Sequence, residues 1–226
     1  MRIIDHPSPN HDERRLPISM LVLHYTGMRS AEEAIARLAD PAAKVSAHWL
    51  VAEDGTVVRM VDESRRAWHA GRSWWRGIDD VNSASIGIEI VNPGHEFGYR
   101  PFPPEQMDAV EALVRSALAR HPILPANVVG HSDVAPARKE DPGELFDWPR
   151  LARAGLAARW DAAEAFDPGW TFEGTVQALS RYGYDVADPA KALIAFQRHH
   201  RPARLDGAAD AETQGILRAL LVAEGA

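Results

Sequence analysis

In the run Ile86-Gly87-Ile88-Glu89-Ile90 three isoleucines take alternate positions, and that alternation leaves the backbone little choice. Successive side chains of a β-strand point to opposite faces, so the isoleucines share one apolar face while Gly87 and Glu89 share the other. Such a strand has to bury its apolar face under a second layer. Residues 18–25 read in a related way: Ile18, Met20, Leu21, Val22 and Leu23 form a short apolar run that closes on His24 and stops at Thr26-Gly27. Each strand carries one titratable group in an apolar frame. Glu89 either reaches solvent on a half-exposed face or sits in a cleft.

Helical patterns alternate with these strands. Ser30 reads as the N-cap of a helix running to about Ala39, with Glu33 three residues on completing a capping box and Pro41 ending it. The segments 46–52 and 56–61 flank Glu53-Asp54-Gly55, a hairpin signal because Asp-Gly supplies the positive φ of a tight turn. Pro103 and Pro104 open a helix over about 104–120, in which Met107, Val110, Leu113, Val114 and Leu118 recur at helical spacing. A short strand at 127–130 delivers His131, and a further helix covers 148–157. This order predicts an α/β (or α+β) sheet flanked by helices over residues 1–160. Asp161–Gly169 reads as a linker, and three helical patterns (171–181, 189–199, 210–221) predict a small three-helix domain over 170–226.

Composition narrows the chemistry. Among 226 residues there is no cysteine, so disulfides and thiolate ligands are excluded and a metal has to be held by histidine and carboxylate. The net charge of −7, with no basic stripe, argues against a nucleic-acid partner. No run reaches the roughly 18–20 apolar residues of a membrane-spanning helix, and the polar N-terminus has no signal-peptide core. A cytoplasmic monomer is the direct expectation, a periplasmic address the alternative.

The densest chemistry lies in HSDVAPARKEDPG, from His131 to Gly143. Singly, each group has a plainer reading: His24 a satisfied structural histidine, the 131–141 charges a solvated loop. Jointly they form the parts of a hydrolytic zinc site. Catalytic zinc takes three protein ligands and keeps a fourth position for water, a demand met by His24, His131 and Asp141. Glu89 is then free to move a proton as acid/base, and Lys139 to face the oxyanion of a tetrahedral intermediate. Trp68, Trp74 and Trp75 offer flat apolar faces for a substrate. His199 and His200, being adjacent, read as a solvated helix end.

These residues fall in a familiar pattern. HSDVAPARKEDPG, LVLHYTG around His24, SAHWLV at 46–51, RAWHAGRSWWRG at 66–77 and SIGIEI at 85–90 resemble the type-2 N-acetylmuramoyl-L-alanine amidases, zinc enzymes of bacterial cell-wall turnover. The resemblance covers about residues 15–155. It implies a mixed central sheet with Zn²⁺ in a groove, ligands His24, His131 and Asp141, acid/base Glu89 and carbonyl polariser Lys139. The implied substrate is peptidoglycan or an (anhydro)muropeptide, cut between the muramic lactyl group and L-alanine, with Trp68, His69 and Asn82 as groove residues. Where relatives reading diaminopimelate carry a basic residue two places before the asparagine, this chain has Asp80; Arg72 or Arg76 is expected to supply the charge. The alternative is a non-catalytic peptidoglycan recognition protein, against which the full ligand set argues; a zinc peptidase cutting another amide uses the same groups. The C-terminal ALIAFQRHH and LDGAADAETQGIL, with Phe196, Gln197, Asp206, Gly207, Thr213 and Leu217, resemble a three-helix peptidoglycan-binding domain.

Overall fold

The computed structural model describes residues 2–225. Its strands are β1 (Ile3–Asp5), β2 (His11–Glu13), β3 (Met20–Tyr25), β4 (Trp49–Val51), β5 (Val57–Arg59), β6 (Arg65–Ala67), β7 (Ser85–Ile90) and β8 (Val128–Gly130). Between and after them come α1 (Ala31–Ala39), α2 (Val81–Ala84), α3 (Gly94–Phe97), α4 (Pro104–Arg120), α5 (His131–Val134), α6 (Trp148–Arg153), α7 (Phe172–Tyr182), α8 (Pro189–His200) and α9 (Ala211–Ala223). Six strands form one mixed sheet in the order β1-β5-β4-β7-β3-β8, and β2 pairs with β6 apart from it. The central strands β4, β7, β3 and β8 are mutually parallel, whereas β4 and β5 form the expected hairpin about Gly55, whose φ is +79°.

The period-2 reading explains how the sheet is covered. Leu21, Leu23, Ile86, Ile88 and Ile90 point to one face and pack under α4 and α6 through Val110, Leu113, Val114 and Leu151. Met20 and Val22 point to the other face, where Val129 joins them in a cluster with Leu179, Leu193, Phe196, Leu217 and Leu220 of α7–α9. Further along that second face, α1 packs Ala34 and Leu38 on Leu50, Val58 and Met60. His24 and Glu89 belong by alternation to this second face, in the interval between α1 and the C-terminal helices.

Local signals account for most boundaries. Ser30 caps α1 by accepting from the Glu33 N–H at 3.2 Å; the Glu33 carboxylate reaches back to the N–H of Arg29, one residue before the cap. Helix α4 occupies 104–120 as its spacing predicts. The 148–157 helix stops sooner, at Arg153, with Gly155 in a left-handed conformation that ends the turn. The edge strand β1 has no counterpart in the sequence reading because its side chains are all exposed. The segment 161–169 is more than a spacer. A 3₁₀ turn at Ala162–Glu164 lies on α9, where Arg218 donates to the Glu164 carbonyl at 2.6 Å.

His199 and His200 correct the expectation of a solvated helix end. His199 is 6% exposed and stacks on Trp148 of α6, ring centroids 3.7 Å apart. Trp75 is likewise core, 1% exposed among Tyr182 and Tyr184, and offers no face to a ligand. Aromatic spacing in a loop carries no information on which rings turn inward.

Candidate metal centre

Three distant segments meet on the second face of the sheet. His24 comes from the end of β3, His131 opens α5 directly after β8, and Asp141 lies ten residues further in the loop. Strands β3 and β8 are parallel neighbours with Leu23 opposite Gly130, so both histidines leave the same sheet edge side by side. The Ser132 N–H bonds the Asp141 carbonyl at 2.9 Å and folds the loop back toward the strand ends. All three residues are buried. His24 Nδ1 lies 2.9 Å from His131 Nδ1, and each lies 3.0 Å from Asp141 Oδ2.

The protons of the two imidazoles can be placed from their outer partners. The Ser85 hydroxyl is committed to the Val81 carbonyl at 2.6 Å, so at 3.2 Å it accepts from His69 Nε2. That leaves His69 Nδ1 an acceptor for His24 Nε2–H at 3.0 Å, and His24 Nδ1 a bare lone pair. His131 Nε2 donates to the Ala70 carbonyl at 3.0 Å, which bares its Nδ1 in the same way. Burial, then the neighbouring His131, takes His24 down to about 4, and burial with the adjacent His24 takes His69 well below the usual histidine range.

Two neutral nitrogen lone pairs and a carboxylate oxygen at this spacing repel one another unless a cation lies between them. Zinc bonds of roughly 2.0–2.2 Å in a tetrahedron place ligand atoms roughly 3.3–3.6 Å apart, somewhat wider than the 2.9–3.0 Å found, so a small outward shift of the three groups admits the ion. Among the described residues this is the group of histidine and carboxylate atoms that could hold a metal ion. The donor set fits zinc, and each histidine has the outer partner that fixes a ligand tautomer.

The three groups face a cavity of about 300 Å³ whose wall includes Glu89, Lys139, Trp68 and His69. Glu89 stands opposite His24 in the β3–β7 register, one strand spacing away on the same face. Its Oε2 is sealed from solvent with no hydrogen-bond partner, and burial, reinforced by the Asp141 charge, raises its pKa well above the carboxylate range. Gly87, two residues before on that face, makes room for His69: a Cβ there would lie 2.4 Å from the ring. Asn82 is placed behind the wall. Its side-chain oxygen accepts the His69 and Ala70 N–H groups at 3.0 and 2.8 Å. Asp80 is occupied too, paired with Arg66 at 3.0 Å and capping α2, while Arg76 turns away to Glu224. Sequence reasoning missed Ser85 and Ala70, the groups that place the imidazole protons; a backbone carbonyl or a lone serine leaves no chemical signature in a sequence.

A mixed sheet presenting two histidines and an aspartate, with a half-buried glutamate opposite, defines a metal-hydrolase type of centre. The sequence pattern of the N-acetylmuramoyl-L-alanine amidases matches residues 14–144, more than half of the chain. N-acetylmuramoyl-L-alanine amidase AmiD of Escherichia coli (strain K12) is 38% identical over 231 residues, spanning 90% of this chain and 82% of the relative. 1,6-anhydro-N-acetylmuramyl-L-alanine amidase AmpD of Enterobacter cloacae is 35% identical over 165 residues, spanning 64% and 86%. The E. coli AmiD structure, in complex with anhydro-N-acetylmuramic acid-L-Ala-D-γ-Glu-L-Lys, superposes with a TM-score of 0.84 over 92% of this chain and 90% of that one. AmpDh3 of Pseudomonas aeruginosa, in complex with anhydromuramic pentapeptide, gives 0.85 at 35% identity over 92% of each. The chain belongs to the N-acetylmuramoyl-L-alanine amidase family and is a hydrolase of that class.

Proposed function

We propose that the chain is a zinc enzyme hydrolysing the amide between the lactyl group of muramic acid and L-alanine, with anhydro-muropeptides as its first substrate class. The observation that carries the metal assignment is the convergence of His24 Nδ1, His131 Nδ1 and Asp141 Oδ2 within 3.0 Å, each nitrogen bared by its outer hydrogen bond. When bound there, zinc supplies Lewis-acid polarisation and acidifies a water from a pKa of 15.7 to about 7. The substrate class is supported by the anhydromuramyl peptides held in the AmiD and AmpDh3 complexes.

Glu89 takes the proton of the attacking water and returns it to the departing L-alanine nitrogen. Its raised pKa suits both halves, since an acid/base works best with a pKa near the working pH. Lys139, on the cavity wall, donates to the oxyanion as the carbonyl carbon becomes tetrahedral. Trp68 and the imidazole edge of His69 bound the space for the sugar and lactyl group, and Asn82 serves that wall by holding the 69–70 backbone. With Asp80 committed to Arg66, peptide discrimination falls to other cations of the groove; Arg37 of α1 lines it. The helices after residue 170 are the candidate for holding glycan. No helix among the described residues is long and apolar enough to cross a membrane. Fractionation of the native protein, beside assays on sacculi and on soluble anhydro-muropeptides, decides between a cytoplasmic and a periplasmic role.

The mechanism is tested with two variants and a chelator. Glu89→Ala is expected to retain zinc and lose about 10²- to 10⁴-fold in kcat. His131→Ala loses zinc and turnover together. Chelation abolishes cleavage and zinc restores it; full activity in chelator, or in Glu89→Ala, would show the assignment to be wrong.

A further inference from the structure

The loop bearing the ligands is held from below by a carboxylate that the catalytic chemistry does not use. Asp133, two residues after His131, is 0% exposed. Its Oδ2 accepts the Gly130 N–H at 2.7 Å and the His199 Nδ1–H at 2.7 Å, and its Oδ1 accepts the Tyr184 hydroxyl at 2.7 Å. Gly130 ends β8 and leads directly into His131. His199 lies in the last turn of α8 and Tyr184 follows α7, so two of the three donors come from the C-terminal helices. Trp148 stacks on His199 at 18° between ring planes and fixes the direction in which its nitrogen points.

The apolar cluster beneath already attaches these helices to the sheet through Met20, Val22 and Val129, and to α5 through Val134. Adhesion alone does not call for polar groups, and burying them there carries a desolvation cost that three well-placed donors offset. What the donors add is direction: they fix the rotation of the turn from which His131 projects. The same turn receives Asp141 through the Ser132 N–H. Residues 184 and 199 both lie outside the segment that matches the family pattern.

We propose that Tyr184 and His199 are positioning residues of the metal centre, acting through Asp133 to hold the His131–Asp141 loop in ligating geometry. The C-terminal helices are in this respect part of the catalytic apparatus. The inference rests on the metal assignment under Proposed function, and the experiment separates the two.

Zinc affinity of the full chain is measured by competition with a chromophoric chelator, beside circular dichroism and a thermal melt. Tyr184→Phe, which removes one oxygen, is expected to weaken zinc binding about 10- to 100-fold while remaining folded, the usual range for loss of an outer-sphere partner. His199→Leu does the same, and His199→Asn, which has the same branched heavy-atom skeleton as leucine but carries an N–H donor near the Nδ1 position, recovers most of the affinity. Tyr182→Phe, trimming a hydroxyl from a comparably buried side chain of the same helices that does not bond Asp133, leaves affinity unchanged. The proposal is overturned if Tyr184→Phe and His199→Leu bind zinc as tightly as wild type. It is also overturned if Tyr182→Phe loses as much as Tyr184→Phe, or if Asn and Leu at position 199 are equivalent. Should Tyr184→Phe fail to fold, the position-199 pair decides. A wild-type chain without zinc affinity overturns the metal assignment instead.

Discussion

Each histidine of the proposed metal site depends on where one proton sits. His24 can ligate through Nδ1 because the chain Val81 carbonyl, Ser85 hydroxyl, His69 imidazole keeps the proton on Nε2. Replacing His69 by Phe keeps an aromatic ring but removes the acceptor, so zinc affinity measured by chelator competition should fall about 10- to 100-fold. Glu89 supplies a second test with a definite sign. Its pKa lies above the unfolded value of 4.5, so the folded chain keeps a proton that the unfolded chain releases. Metal-free protein therefore loses stability as pH rises past that value. Glu89→Gln, which cannot ionise, should melt at a higher temperature than wild type at pH 7, and the difference should vanish by pH 4. A lower melting temperature for Glu89→Gln at pH 7 would remove burial as the dominant influence on this carboxyl.

At the scale of elements, the site is a product of strand alternation and register. In β7 the isoleucines anchor one face to α4, which obliges Gly87 and Glu89 to look toward the cavity. Gly87→Ala changes nothing on the α4 side but drives a methyl group into the His69 ring. The expected cost is about 1–3 kcal/mol of stability in a denaturant titration, together with weakened zinc binding through His69. Ser30→Ala offers the contrast. Losing the α1 cap should cost about 1 kcal/mol with zinc affinity untouched, because the Ser30 hydroxyl bonds the Glu33 N–H of its own helix and is not part of the cavity wall. Equal loss of zinc affinity in both variants would mean that the centre responds to general destabilisation and not to the His69 contact.

For the whole molecule, the decisive fact is that one apolar cluster runs from the sheet into the C-terminal helices. Val22, Val129 and Trp75 share it with Leu193, Phe196 and Leu220, and the polar contacts of Asp133 with Tyr184 and His199 lie within the same junction. Two units joined in this way unfold together. A single calorimetric transition is expected, with calorimetric and van't Hoff enthalpies equal; two resolved transitions would show the helices to be energetically separate. Cutting the chain after residue 160 would expose Met20, Val22 and Val129 at once, and an aggregating product is the expected result, read by light scattering.

Much of this was legible in the residues. The alternating isoleucines placed Glu89 on the opposite face, the proline pair opened α4 at Pro104, and the types and order of His24, His131 and Asp141 pointed to zinc without any coordinates. Those signals are local or chemical, so they survive in one dimension. Three things were decided only by the tertiary structure: which tryptophans turn inward, what Asn82 and Asp80 bond to, and that His199 is buried against Trp148 and Asp133. Each depends on what another segment brings within 3 Å, and polar partners far apart in sequence carry no periodicity that would announce them. Composition and pattern name the groups that do the chemistry, whereas their proton positions and their support come from contacts that exist only once the chain has closed on itself.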